Sequence, residues 1–113
     1  MKIIGIDPGL ATIGIGLIEA TSKNDIKVLD WLTIETPAGE ETPNRLKEIA
    51  KDLANLLEEN KPELAVVEKI FFAKNEKSAI NVAQARGVIL QMLASRSIPI
   101  IEPTPIQIKS VIT

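Results

Sequence analysis

The sequence contains no cysteine and no histidine. Without cysteine, the chain has no disulfide framework, no thiolate nucleophile and no zinc site built from thiolates. Without histidine, it lacks the most common general base and every imidazole metal ligand. Any chemistry must therefore rest on aspartate, glutamate, lysine, arginine, serine or threonine, or on a bound metal ion.

Long apolar runs are also missing. The most apolar extended window, residues 10–20, falls far short of the ~20 residues that a membrane-spanning helix needs. An acidic residue, Asp7, comes too early in the chain for a secretory signal peptide. We therefore expect a soluble, cytoplasmic protein, and 113 residues are enough for one domain with its own core.

The charge is small in total but unevenly distributed along the chain. Residues 1–68 carry 7 Lys+Arg and 13 Asp+Glu, a net charge of −6, whereas residues 69–113 carry 6 and 2, a net charge of +4. A solvated helix face is the plain explanation of such an asymmetry. An acidic half followed by a basic half also suits a metal-dependent enzyme that acts on a polyanion.

The apolar pattern predicts an α/β domain with the element order β-β-β-α-β-α-β-α. Three strands form an antiparallel meander, and the first helix follows with Thr42 as its N-cap and Pro43 at its first position. Alternation predicts that Val28 lies on the face of the third strand opposite to Trp31. The predicted strands are 2–7, 12–19, 26–36, 63–69 and 98–102, and the predicted helices are 42–60, 75–96 and a last one from residue 104.

The last predicted helix begins at Thr104, and the sequence stops at Thr113. An α/β domain rarely ends on a helix that has barely begun. We therefore expect residues 1–113 to form a single domain that is incomplete at its C-terminus.

Two acidic residues stand at the ends of predicted strands. Asp7 ends the first strand and Glu68 ends the fourth. A right-handed crossover places the fourth strand parallel to the first and ~4.8 Å from it, so the two carboxylates meet at one edge of the sheet. Carboxylates this close repel each other unless a cation lies between them, and oxygen ligands favour Mg²⁺ or Mn²⁺. A pair of such ions supports phosphodiester hydrolysis.

Each acid also has a structural interpretation. Asp7-Pro8-Gly9 is a common turn, and an acid that ends a strand, as Glu68 does, is often simply solvated. Sugar kinases and actin-like ATPases open with a similar glycine-flanked acid, but they need two large domains to enclose a nucleotide, which 113 residues cannot supply. The pair of acids is stronger evidence than either acid alone.

The chain resembles RuvC, the bacterial Holliday-junction resolvase family of the RNase H-like fold. The matching segments occur in the family's order and cover nearly the whole chain. They read GIDPGLATIGIGLIE (5–19), RLKEIAKDL (45–53), VEKIFFAKNEKSAINVAQARGV (67–88) and EPTPIQIKSVIT (102–113). The resemblance implies a mixed five-stranded sheet flanked by helices and a metal-dependent endonuclease that resolves four-way DNA junctions in recombination and repair.

The resemblance also implies roles for individual residues. Asp7 and Glu68 resemble the first two metal-binding, catalytic carboxylates, with Mg²⁺ or Mn²⁺ as cofactor and two ions in a complete site. Phe71 resembles an aromatic residue that stacks on an unpaired base at the junction. Lys109 is similar to a catalytic lysine near the scissile phosphate. Contacts to DNA are expected from Phe71, Lys74, Lys77, Arg86 and Lys109.

The family acts as a homodimer, and a branch-migration motor is a further implied partner. The helix predicted at 75–96 is apolar over a broad arc, so we expect it to form the dimer face, with Ile89 in the interface. The family completes its metal site with two aspartates on a last helix. After Glu68 the only acids are Glu76 and Glu102, and neither is placed to replace them.

Three other functions stay open at this point. One is a catalytically inactive junction-binding module, because the downstream carboxylates are absent. Another is a YqgF-like RNA-processing nuclease of the same fold, against which the segment from Phe71 to Gly87 argues. The last is a dimerisation scaffold that binds no DNA.

Overall fold

A computed structural model describes residues 1–8, 12–22, 24–36, 39–69 and 76–103 of the chain. Five strands and two helices lie within these residues, and none of these helices is long and apolar enough to cross a membrane. The helix predicted from Thr104 lies outside them. The elements are β1 (Lys2–Pro8), β2 (Thr12–Ser22), β3 (Asp25–Glu35), α1 (Thr42–Asn60), β4 (Leu64–Val67), α2 (Glu76–Ser95) and β5 (Ile100–Ile101).

The strands form one mixed sheet in the order β3-β2-β1-β4-β5. The first three strands pair antiparallel, whereas β4 pairs parallel to both β1 and β5. The predicted fold class and the predicted neighbours of β1 are therefore confirmed. β5 is shorter than predicted, because Pro99 and Pro103 flank it and proline cannot donate a ladder hydrogen bond.

Both helices pack on the same face of the sheet and build one core with it. Alternate strand residues point into this core, which explains why β2 reads as an apolar-glycine alternation. The fully or nearly fully buried apolar side chains are Ile4, Ile6, Ile13, Ile15, Leu17, Ile34, Ala65 and Val67 from the sheet, Ile49, Leu53 and Leu57 from α1, and Ala85, Ile89, Met92 and Leu93 from α2. Neither helix covers the opposite face, which is called the open face below.

The ends of α1 follow recognisable backbone signals. Glu41 is the N-cap residue with extended backbone angles, so the prediction that Thr42 caps the helix was wrong by one position. Pro43 lies in the first turn, where its missing N–H costs no intrahelical hydrogen bond. Lys61 ends the helix in the left-handed conformation, and its N–H donates to the carbonyl of Leu57 at 2.9 Å.

A bulge interrupts the pairing of β2 with β3. Leu17 pairs with Asp30, but the next residue, Ile18, pairs with Val28, so Leu29 has no partner. An extra residue in one strand reverses the alternation beyond it. Val28 therefore lies on the same face as Trp31, and the prediction that the two lie on opposite faces was wrong.

The arc of α2 that faces the core differs from the predicted one. Ile89 is only 1% exposed and lies among the core side chains, so the expectation that Ile89 forms a subunit interface was wrong. The predicted excess of apolar surface exists on another arc of the same helix. Ile80 is 60% exposed there. The exposed residues of this arc are Ile80, Ala83, Gln84, Gly87, Gln91 and Ala94.

Candidate active site

The pairing of β1 with β4 brings the two predicted carboxylates together. Ile6 is paired with Val67, and the N–H of Glu68 donates to the carbonyl of Ile6 at 3.3 Å. Ile6 and Val67 are buried in the core, so the residues that follow them point to the open face. Asp7 and Glu68 therefore stand side by side at the carboxyl ends of two parallel strands, which confirms their predicted proximity.

The electrostatics of this pair favour a bound cation. Asp7 is exposed, whereas Glu68 is partly buried. Burial raises the pKa of Glu68 above its ordinary value, and the neighbouring Asp7 raises it further through charge repulsion and a side-chain hydrogen bond. Two carboxylates whose like charges repel each other form a set of oxygen donors, and a hard divalent cation bound between them relieves that repulsion.

These two acids do not make a complete metal cage. Among the residues that the structure describes, no group of three or more acids could hold a metal ion. Magnesium keeps several waters and takes only one or two protein carboxylates in many sites that bind phosphate. Asp7 and Glu68 therefore fit a divalent ion as two of its ligands.

The two acids help to line a largely apolar groove of about 640 Å³ on the open face. Gly14 is paired with Asp7, and a methyl group built on Gly14 would lie 3.7 Å from Cβ of Asp7. The absence of a side chain at Gly14 lets a partner approach the sheet backbone closely beside Asp7. The side chains around the groove are Ile3, Asp7, Ile18, Val28, Trp31, Val66, Glu68, Ile101 and Pro103.

Arg86 reaches the same edge of the sheet from α2. Its Nε donates to the backbone carbonyl of Glu68 at 3.4 Å, and its Nη2 lies 3.1 Å from Oε1 of Glu102. Arg86 was predicted to contact DNA, and the structure places it beside a catalytic candidate. Sequence reasoning missed this arrangement because Arg86, Glu68 and Glu102 belong to three different elements and share no regular spacing.

The other predicted DNA-contact residues are not part of this geometry. Phe71, Lys74 and Lys109 lie outside the described residues. Lys77 lies in the first turn of α2, and its side chain also lies outside the description. Their roles remain predictions.

Comparison with known proteins decides the family. The family model of RuvC, crossover junction endodeoxyribonuclease, matches residues 3–113. The chain belongs to the RuvC family. A RuvC protein of Syntrophomonas wolfei, named crossover junction endodeoxyribonuclease, is 47% identical over 112 residues, which are 99% of this chain and 64% of that protein. A RuvC protein of Prochlorococcus marinus strain MIT 9312 is 53% identical over 110 residues, which are 96% of this chain and 68% of that protein.

The fold agrees with that of solved RuvC structures. Thermus thermophilus RuvC in complex with a Holliday junction substrate superimposes with a TM-score of 0.89 at 25% identity, covering 97% of this chain and 70% of that one. The chain thus spans about two thirds of the length of its RuvC relatives, 64% in the case of the Syntrophomonas protein.

Proposed function

We propose that this protein is a divalent-metal-dependent endonuclease that resolves four-way DNA junctions by hydrolysing phosphodiester bonds in recombination and repair. The observation that carries the proposal is the placement of Asp7 beside Glu68 on the open face, in a chain of the RuvC family. A protein with this role works in the cytoplasm, where the bacterial chromosome lies.

Asp7 and Glu68 are the residues that would hold the cation, Mg²⁺ or Mn²⁺. When bound, a pair of such ions supplies the charge that activates a water and stabilises the leaving oxygen. Lys109 is proposed to stabilise charge at the phosphate, and Phe71 is proposed to stack on an unpaired base. Lys74 and Lys77 are proposed to contact the DNA backbone, which positions the junction without reading its sequence.

A second copy of the chain is the proposed partner in symmetric cleavage. Two equivalent active sites suit the two-fold symmetry of a junction. The exposed arc of α2 is the candidate dimer face, because Ile80 is 60% exposed and the arc carries no charged residue. A methyl group added at Gly87 would meet no atom within 4 Å, so a partner can approach this helix closely.

Cleavage of a labelled junction tests the proposal. We expect paired nicks in a four-way junction with Mg²⁺ or Mn²⁺, no cut in EDTA, and no cut of a linear duplex of the same sequence. Asp7→Asn should abolish cleavage and keep junction binding in a gel shift. Asp52→Asn, on α1 at the other side of the sheet, is the matched control and should cut normally.

The same experiment separates the alternatives. Selective junction binding without any cut under all metal conditions would identify an inactive junction-binding module. Cleavage of a structured RNA in place of the junction would favour an RNA-processing nuclease. Absence of binding to either nucleic acid would leave a dimerisation scaffold.

A further inference from the structure

The backbone of Glu68 is held from two sides. Its N–H donates to Ile6 of β1 at 3.3 Å, and its carbonyl accepts from Nε of Arg86 on α2 at 3.4 Å. The next residue is also fixed, because the N–H of Lys69 donates to the carbonyl of Pro103 at 2.8 Å. The carboxyl end of β4 is therefore connected to β1, to α2 and to the segment after β5.

Arg86 links two of these elements through one side chain. Its guanidinium lies between the carbonyl of Glu68 and the carboxylate of Glu102, and its side chain is only 18% exposed. Nη2 is buried and makes no hydrogen bond within the described part of the chain, although it lies 3.1 Å from Oε1 of Glu102. Charge attraction holds this contact, whereas the contact to Glu68 is a directed hydrogen bond.

We propose that Arg86 is a positioning residue that fixes the end of β4 against β5 and so holds the Glu68 carboxylate at the spacing from Asp7 that a divalent ion requires. Glu102 anchors the guanidinium from the far side. The inference rests on the proposed metal site of Asp7 and Glu68. It assigns to Arg86 a role inside the protein in place of contact with DNA.

Lysine at position 86 separates this role from a DNA contact. Arg86→Lys keeps the positive charge, which is what a phosphate contact needs. A single ammonium group cannot keep both the directed bond to the Glu68 carbonyl and the attraction to Glu102. A phosphate contact would therefore tolerate lysine, whereas a positioning role would not.

The test is the affinity of the protein for Mn²⁺ alone, measured by isothermal titration calorimetry without DNA. We expect Arg86→Lys to weaken Mn²⁺ binding about tenfold, the low end of the effect seen when residues that support metal ligands are changed. Glu102→Gln, which removes the anchor but keeps the shape, should weaken binding in the same direction by a smaller factor. Arg96→Lys is the matched control, because Arg96 follows α2 and contacts the carbonyl of Met92 at 3.3 Å, away from the acids. It should bind Mn²⁺ as the wild type does.

Circular dichroism at the titration temperature confirms that each variant is folded, and Glu102→Gln provides the test if Arg86→Lys does not fold. Unchanged Mn²⁺ affinity in folded Arg86→Lys would overturn the proposal. A loss of Mn²⁺ affinity in Arg96→Lys as large as that in Arg86→Lys would also overturn it. If Asp7 and Glu68 do not form a metal site at all, the wild type and Asp7→Asn would give the same Mn²⁺ titration. In that case both inferences fall.

Discussion

The indole of Trp31 lies against the bare backbone of Gly16, its partner in the β2–β3 pair. A methyl group built on Gly16 would come within 3.1 Å of Cζ3 and 3.2 Å of Cε3 of the ring. Trp31 is 74% exposed, so the glycine provides one of its few contacts. Gly5 differs, because a methyl group there meets only the carbonyl oxygen of Gly16 at 3.9 Å.

This difference predicts unequal effects of two glycine-to-alanine changes. Gly5→Ala should raise the free energy of unfolding by about 0.5–1 kcal/mol, because alanine loses less backbone entropy in a strand. Gly16→Ala should raise the free energy of unfolding by less, because its methyl group displaces the indole of Trp31. Urea denaturation measures both, and in a Trp31→Thr background Gly16→Ala should gain as much as Gly5→Ala. Equal gains in the wild-type background would mean that the ring does not rest on Gly16.

The raised pKa of Glu68 predicts how the metal-free fold responds to pH. The pKa of Glu68 is higher in the folded state than in the unfolded state. The contribution of Glu68 to the free energy of unfolding is therefore fully present in acid and is lost as the pH rises through the raised pKa. Asp7→Asn removes the negative charge that repels the Glu68 carboxylate. At neutral pH in EDTA it should therefore raise the free energy of unfolding by about 0.2–1 kcal/mol. Below the ordinary glutamate value of 4.5, the gain should disappear.

Urea denaturation in EDTA at pH 4 and pH 7 checks this prediction, with Asp52→Asn as the control variant. Saturating Mn²⁺ should make the wild type the more stable of the two, because only the wild type keeps both proposed metal ligands. A lower free energy of unfolding for Asp7→Asn at pH 7 in EDTA would show that the two carboxylates do not repel each other in the folded protein.

The two arcs of α2 predict opposite results for two isoleucines. Ile89 is 1% exposed, so Ile89→Ala should lower the free energy of unfolding by about 2–5 kcal/mol through lost burial and a cavity. Ile80 is 60% exposed in the single chain, so at a protein concentration low enough to keep the chain monomeric, Ile80→Ala should change it by less than about 0.5 kcal/mol. Thermal or urea unfolding compares them directly. Similar losses for the two variants would contradict the orientation of α2.

The proposed dimer face on α2 predicts that one substitution changes the oligomeric state without a change in fold. Ala83→Glu places a charge in the middle of the exposed arc of α2, and we expect monomers by sedimentation equilibrium, because a buried unpaired charge opposes association. Asn55→Glu adds the same charge on the exposed side of α1 and should leave the dimer intact. A dimer that persists in Ala83→Glu would place the interface elsewhere.

Much of this architecture was predictable from local patterns. A short isoleucine-rich run identified β1, and alternation identified β2 and most of β3. The crossover rule placed Glu68 beside Asp7 although the two are far apart in sequence. The family followed from segments such as GIDPG and VAQARG in their order. These signals depend on local sequence or on general rules of chain topology, so they can be recognised without knowing how the elements pack.

Other features depend on pairing that no single segment encodes. The bulge at Leu29 depends on how β2 and β3 fit each other, so alternation alone placed Val28 on the wrong face. The buried arc of α2 depends on where α1 packs, which is why Ile89 was assigned to the wrong surface. The contact of Arg86 with the Glu68 carbonyl joins elements that carry no shared signature.

The bulge at Leu29 also bears on aggregation. β3 is the outer strand of the described sheet, and it exposes Ile26, Val28, Leu29 and Trp31 over 11 residues. A flat edge of this composition would offer its free N–H and C=O groups to the edge of another molecule. The extra residue bends and twists the strand, while Lys27 and Asp30 place charges on either side of the bend. The irregularity that carries Val28 into the groove therefore also makes this edge a poor template for fibril growth.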